Sequence, residues 1–367
     1  MTLHRTYLLA LAALALAVTA GCGKEDVADS RVIRFSPAVH ASVPATKADP
    51  NLPDDEEYLM ADGNKIGVFG TWKSPEGVST DVFSNIEVTC QDNGASASPR
   101  YLWDYSPHKY WRKGGKYFFH SVYPYTANTQ YGTDGTRMVV TYSMFSDNYD
   151  LMVAGAERDM AGDDTSPVNL DFKHACAAVR VVFRKGSEDA NRHYLLNSFK
   201  MQYLHALGVL VCDDVDVTLA SWSPAEYRSP SVMEWTAENE AARIDVPESF
   251  EDYKLMDTGT LPKWHFAVPQ NLNTEDNFHP SLQFSVYVKQ YQEDGITLSY
   301  STATPVYTTL PLPETYEDAQ HNVHDVVWEP GKVYTYYVQI QAGQASITVS
   351  VTDWDRYYVY IDDMIFG

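Results

Sequence analysis

From residue 66 to residue 351 the chain falls into short apolar or alternating runs, separated by Gly, Asn, Asp and Pro. Examples are residues 66–69, 86–90, 117–123, 138–142, 179–183, 199–203, 284–288, 333–340 and 347–351. These runs are rich in Val, Tyr, Phe and Ile, whose branched or aromatic side chains suit a pleated, half-buried surface. No helical periodicity persists beyond about three turns, and residues 237–244 are the best short-helix candidate. Many short strands with regular turn signals predict an all-β chain of sandwiches or barrels. The length of 367 residues suggests roughly two domains. The acidic, turn-rich stretch 157–167 (ERDMAGDDTSP) offers a boundary, and residues 168–183 open a fresh apolar block. The expected organisation is a leader over 22–58, one β-sandwich over 59–167 and a second over 168–367, each long enough to bury its own core.

Charge narrows the partners. Lys and Arg number 27 against 49 Asp and Glu, a formal net charge of −22. Nucleic acid is disfavoured, because its phosphates need cationic side chains to displace counterions. Electrostatic docking on anionic lipid is disfavoured for the same reason. An apolar fraction of 44% excludes wholesale disorder.

The first residues read as an address. His4 and Arg5 precede an apolar run over 7–18, then Thr19-Ala20-Gly21 and Cys22. A basic start, a short apolar core and small residues before a cut describe an export signal over 1–21. The apolar core falls short of the roughly 20 residues a membrane span needs. Val18-Thr19-Ala20-Gly21-Cys22 resembles a bacterial lipobox, with Thr19 where Leu is usual. Cleavage between Gly21 and Cys22 would leave Cys22 as an acylated first residue, whose several acyl (palmitate-type) chains anchor firmly where one does not. Lys24, Glu25 and Asp26 resemble the surface-export signal of Bacteroidetes lipoproteins. Together these point to an outward-facing lipoprotein of the cell outer membrane. Cleavage removes Arg5, leaving 26 basic against 49 acidic residues, a net charge of −23.

With Cys22 lipidated, Cys90, Cys176 and Cys212 remain. One disulfide is feasible among three, and spacing does not choose it. Cys176, inside an apolar run, reads as a small buried hydrophobe. Residues 22–58 form a polar, Pro- and Asp-rich leader with one strand-like piece, Val32-Ile33-Arg34-Phe35.

Several phrases resemble the Bacteroidetes fimbrillin family. They are Trp103, Tyr110-Trp111 and residues 117–124 (YFFHSVYP), then Asp150-Leu151-Met152-Val153-Ala154 and residues 168–179 (VNLDFKHACAAV). Phe266-Ala267-Val268-Pro269-Gln270, residues 328–336 (WEPGKVYTY) and residues 347–354 (ITVSVTDW) complete the series. The match runs over about 33–354, and its specificity lies in the order and spacing of the motifs. The resemblance implies two tandem transthyretin-like β-sandwich domains and a role as a fimbrial, type V pilus, subunit supporting cell adhesion. It implies that polymerising subunits lose an N-terminal segment to a trypsin-like protease, and that a neighbour's strand fills the opened groove. Anchor subunits keep their lipid and stay at the base of the fimbrium.

In this chain the segment to be released would run through residues 32–39, with Arg31, Arg34 and Lys47 as candidate processing sites. An ordinary, permanent first strand is the alternative. The tail over 355–367 (DRYYVYIDDMIFG) is a candidate donor strand through Tyr357, Val359, Ile361 and Ile365. A last strand folded into its own domain is the alternative there.

No motif of enzymatic chemistry stands out. Gly-x-Ser-x-Gly, His-Glu-x-x-His, the P-loop and the dinucleotide glycine pattern are absent from the sequence. Gly114-Gly115 reads as a hairpin turn. His321 and His324 read as solvent-exposed, and Asp213, Asp214 and Asp216 lack the glycine and bidentate Glu of a calcium loop. Asp163-Asp164 reads as a turn, and His174 as a hydrogen-bonded histidine at a core edge. The expectation is a non-enzymatic protein with no cofactor and no metal. Its expected partners are other fimbrial subunits, the outer membrane through acylated Cys22, and a host or bacterial surface ligand. A surface glycan-binding lipoprotein is the competing reading, motivated by the same address and the Tyr and Trp content. Trp103, Trp111, Trp328 and Trp354 are expected to serve packing rather than sugar stacking.

Overall fold

A computed structural model describes residues 31–39, 59–94, 100–126, 129–131, 137–147, 149–162, 164–250, 264–273, 279–318, 320–341 and 344–353. The chain is all-β, and the helical elements named among its described residues are single 3₁₀ turns. The first strands are β1 (Phe35–Val39), β2 (Lys65–Lys73), β3 (Ser79–Asp92), β4 (Tyr101–Asp104) and β5 (Lys116–Tyr123). They are followed by β6 (Thr129–Tyr131), β7 (Met138–Ser143), β8 (Met152–Asp159) and β9 (Val168–His174).

Seven of these form one sheet in the order β1-β9-β8-β5-β2-β3-β4. All its pairings are antiparallel except β1 with β9, which is parallel. Alternation explains the inward set. Val168, Leu170 and Phe172 of β9 point to the core, as do Tyr117 and Phe119 of β5 and Phe83 and Val88 of β3. β5 is central, so its C-terminal half is buried on both faces, and its polar residues are bonded: the Ser121 hydroxyl donates to the Gly67 carbonyl at 2.9 Å.

Later strands are β10 (Ala177–Lys185), β11 (Arg192–Gln202), β12 (Leu207–Cys212), β13 (Val232–Thr236) and β14 (Ser281–Tyr291). The last are β15 (Leu298–Ser301), β16 (Val306–Pro311), β17 (Lys332–Gln341) and β18 (Gln344–Asp353). The short strand His265–Ala267 with β10, β17 and β18 makes one sheet, and β13, β11 and β14 with β15 and β16 make another. Val179 and Phe183 with Tyr334, Tyr336 and Val338 from the first meet Leu196, Phe199, Met201, Leu282 and Phe284 from the second. This is a sandwich core built from inward-facing residues of two sheets.

Two features join the halves. β9 begins at Val168, where the sequence suggested a second half, yet it lies in the first sheet because its inward residues complete that core. The chain crosses to the second sandwich through Ala175 and Cys176, after which β10 begins. In addition, β7 pairs with β12 from Leu207↔Ser143 to Cys212↔Met138, in a sheet that also holds β6 and the strand Ser221–Pro224. A third cluster, including Phe69, Val122, Val140, Tyr142, Cys176 and Leu210, fills the junction.

The 237–244 segment is not a regular helix. Its amide at Ala237 donates to the Asn197 carbonyl, and Ile244 pairs with Leu196 of β11. Strand pairing at both ends leaves room only for a 3₁₀ turn at Glu240–Ala242, capped by the Asn239 side chain.

Candidate strand-exchange site

The leader segment closes the first sandwich by touching both edges of its curled sheet. On one side the Ile33 amide donates to the Lys109 carbonyl (2.8 Å), and the Trp111 amide donates to the Arg31 carbonyl (2.9 Å). Val32 bridges Tyr110. This is the chain just after β4, one edge of the sheet. Two residues later the leader changes partner. The Val168 amide donates to the Arg34 carbonyl (2.8 Å), and β1 runs parallel to β9 from Phe35↔Val168 to Val39↔Phe172.

Period-two alternation sends Ile33, Phe35 and Pro37 inward, while Ser36 and Ala38 are exposed. Ile33 is fully buried. The Phe35 ring sits 5.4 Å from Phe83, 5.8 Å from Phe119 and 5.9 Å from Tyr105, in edge-on or tilted contacts. The Tyr105 hydroxyl donates to the Ile33 carbonyl at 2.8 Å. Burial pushes this phenol up to about 12, so it stays a protonated donor at neutral pH. Pro37 has no amide hydrogen, which an edge strand tolerates and a central one does not.

The three basic candidates are placed differently by this ladder. Arg31 is exposed, with its carbonyl engaged by the Trp111 amide. Arg34 is half-buried, with its carbonyl engaged by Val168. Both precede β1. Lys47 follows β1 in sequence and lies outside the described residues, as do Gly21, Cys22, Lys24, Glu25 and Asp26. Tyr357, Val359, Ile361 and Ile365 also lie outside them. The described chain ends on β18, whose Asp353 forms an ion pair with Lys332.

Other singled-out residues have local partners. His324 Nε2 lies 2.8 Å from Asp318, and His321 pairs with Glu317. Asp213 pairs with Arg137 at 3.0 Å, and Asp216 caps a 3₁₀ turn through the Thr218 amide. Asp164 accepts the Ser166 amide, a turn contact. His174 Nδ1 is 2.9 Å from Asp150, both buried. Cys90, Cys176 and Cys212 are free and buried. Desolvation pushes the Cys90 thiol up to about 11 and Cys212 up to about 12, so neither offers a thiolate at neutral pH.

Trp103, Trp111 and Trp328 are buried, and Trp328 Nε1 donates to the Tyr336 hydroxyl at 2.9 Å. Trp354 lies outside the described residues. Among the described residues no helix is long and apolar enough to cross a membrane.

Sequence reasoning missed the clasp between the halves. The Asp214 carbonyl accepts a hydrogen bond from His120 Nε2 at 2.9 Å, which places a proton on that nitrogen. The neighbouring Val215 carbonyl lies so close to Gly155 of β8 that a Cβ there would sit 2.0 Å from it. Tyr142 Oη donates to the carbonyls of Tyr149 (3.0 Å) and Phe266 (3.2 Å), and Trp222 Nε1 to that of Ala175 (2.7 Å). The one visible signal was a glycine in the middle of the β8 run.

No curated protein matches the chain. Among solved structures, a fimbrial protein from Bacteroides vulgatus is 12% identical with a TM-score of 0.49, covering 88% of this chain and 99% of its own. A candidate cell adhesion protein from Bacteroides uniformis is 13% identical with a TM-score of 0.48, covering 88% and 99%. Another from Bacteroides ovatus is 18% identical with a TM-score of 0.48, covering 88% and 96%. The fimbrillin-like family model matches residues 46–354. With most of its length matched, from just after the leader strand to the end of β18, the chain belongs to the fimbrillin-like family.

Proposed function

We propose that this chain is a structural subunit of a surface fimbrium, or its lipid-bound anchor, and that it joins its neighbours by strand addition. The observation that carries this is the leader. It supplies Ile33 and Phe35 to a core otherwise built from β2, β3, β4, β5, β8 and β9 and the segments that connect them, it buries Pro37 as well, and among the described residues it touches both sheet edges. Its departure would leave the β9 edge with unpaired N–H and C=O groups beside a slot lined by Phe83, Tyr105 and Phe119. An extended segment with apolar residues at alternate positions fits such a slot. Drawn out as a strand, Tyr357, Val359, Ile361 and Ile365 would fall on one face, the alternate spacing that Ile33, Phe35 and Pro37 use.

Of the three processing candidates, cutting after Lys47 releases all of β1, whereas cutting after Arg31 or Arg34 leaves Phe35–Val39 in the polypeptide. An anchor subunit would keep the leader, with Cys22 acylated at the outer-membrane surface and Lys24-Glu25-Asp26 directing export. We place the division between the sandwiches at residues 175–176, after β9.

Deleting the gene and imaging the cells by electron microscopy tests the role. Fimbriae that are lost, or shed unanchored into the medium, support it. Unchanged cell-attached fimbriae together with glycan-array binding by the purified chain favour the glycan-binding lipoprotein instead.

A further inference from the structure

The outer edge of the third sheet carries a surface that strand exchange at β1 does not use. β15 pairs with Lys289, Gln290 and Tyr291 of β14, and β16 pairs with Ser281 through Val286 of the same strand. Both lie on the side of β14 opposite β11, which pairs along its other edge. They therefore act as one edge strand, interrupted at 302–305. There the Thr302 amide donates to the Val288 carbonyl, and the Val288 amide donates to the Thr302 hydroxyl, each at 3.0 Å. Among the described residues neither segment pairs with any further strand.

Between Asp294 and Glu314 nineteen residues carry no charge, in a chain where 21% are charged. Large apolar side chains stand exposed along this stretch: Ile296 at 83%, Tyr307 at 65% and Tyr300 at 57%, with Leu298 and Val306 beside them. Pairing with Ser285 and Gln283 places Tyr307 and Thr309 on the outer face of the sheet. β18 is also an edge strand and nearly uncharged, but it has no exposed large apolar side chain. Natural edges are usually guarded by charged residues, proline or extreme shortness. This one is guarded only by Pro305, at the interruption, and Pro311, at its end.

We infer that the 298–311 edge pairs antiparallel with the same edge of a second copy, forming an isologous contact in which each strand completes the other's ladder. Charge selects the occupant. Two copies at −22 repel over most of their surfaces, so self-association is least opposed where neither brings a charge. The row of backbone groups then supplies the bonds, and Leu298, Tyr300 and Val306 lose water. Screening this repulsion with salt should strengthen the dimer, unlike an interface held by ion pairs.

The test is sedimentation of the full chain carrying Cys22→Ser, so that no acyl group contributes, over a wide concentration range at low and high salt. The expected result is a monomer–dimer equilibrium that tightens with salt, with amide exchange at 298–311 slowing as dimer forms. Tyr300→Lys and Thr309→Lys place like charges at the pairing edge and should each weaken association by about tenfold or more, with unchanged circular dichroism. A chain monomeric under all conditions would overturn the inference. So would a dimer indifferent to both substitutions. So would slowed exchange at 298–311 produced by a neutral oligosaccharide while the chain is monomeric. None of these outcomes touches β1, so strand exchange there stands or falls separately.

Discussion

The Phe35 ring meets Phe83 edge-on, centroid to centroid at 5.4 Å and inclined by 72°, so a residue of the leader is part of the core of the first sandwich. Phe35→Ala removes that ring and leaves a cavity beside Phe119 and Tyr105. Urea unfolding should show a loss of about 3–5 kcal/mol, the range for buried Phe truncation. Native-state proteolysis at Arg31 and Arg34 should speed up in the same variant, because the strand that holds them is weaker. Unchanged stability would mean that the ring is not buried in the core.

Gly155 should tolerate no side chain. Gly155→Ala drives a Cβ against the Val215 carbonyl, which is backbone and cannot rotate away. Shifting the 213–217 loop also strains the hydrogen bond from His120 to Asp214. Overpacking of this kind costs about 1–3 kcal/mol. Chemical unfolding would detect it, and hydrogen exchange should show the loop loosening before the rest of the chain.

Asp150 and His174 form a buried pair at the point where β9 leaves for the second sandwich. Asp150→Ala leaves the imidazole buried without its carboxylate. Removing one partner of a buried hydrogen bond costs about 1–3 kcal/mol. The midpoint of urea unfolding should fall accordingly, and a shift within error of the wild type would show that the pair carries no stability.

Stability should also fall with acid in a definite window. Desolvation pushes His265 down to about 4 and lowers His120 as well. The unfolded chain takes up those protons near the ordinary histidine value of about 6.5, while the folded chain resists until much lower pH. The stabilising contribution is therefore complete above about 6.5 and is lost as pH falls from there toward about 4. Unfolding midpoints measured across this range should decline. His265→Phe, set edge-on to Phe199, should flatten part of the slope. An unaltered slope in that variant would place the effect elsewhere.

The strands were legible because their alternation is strong. Runs such as 117–123 and 333–340 lie wholly within β5 and β17. The leader was legible only in part. The piece at Val32–Phe35 is visible as apolar residues, but the ladder with β9 begins at Phe35 and continues across Pro37, a residue that argues against a strand when read locally. The 237–244 turn was misread because pairing with β11 at both ends overrides the helical propensity of its alanines. The junction was hidden for a different reason. β7 and β12 join Ser143 to Leu207 across the whole run from β8 to β11, and neither strand's own pattern names its partner. The clasp at Gly155 depends on a backbone carbonyl, which leaves no side-chain signature.

Release of β1 and refilling of its slot can be followed directly. Native full-length chain is cut with trypsin, the released fragments are identified by mass, and the product is sized and imaged. Strand exchange predicts that cutting after Lys47 frees the segment carrying Ile33, Phe35 and Pro37, and that the trimmed chain then grows into linear oligomers longer than dimers. Adding a peptide that spans Tyr357, Val359, Ile361 and Ile365 should block that growth by occupying the slot. A trimmed chain that has lost β1, remains folded, keeps its original size and ignores the peptide would contradict it.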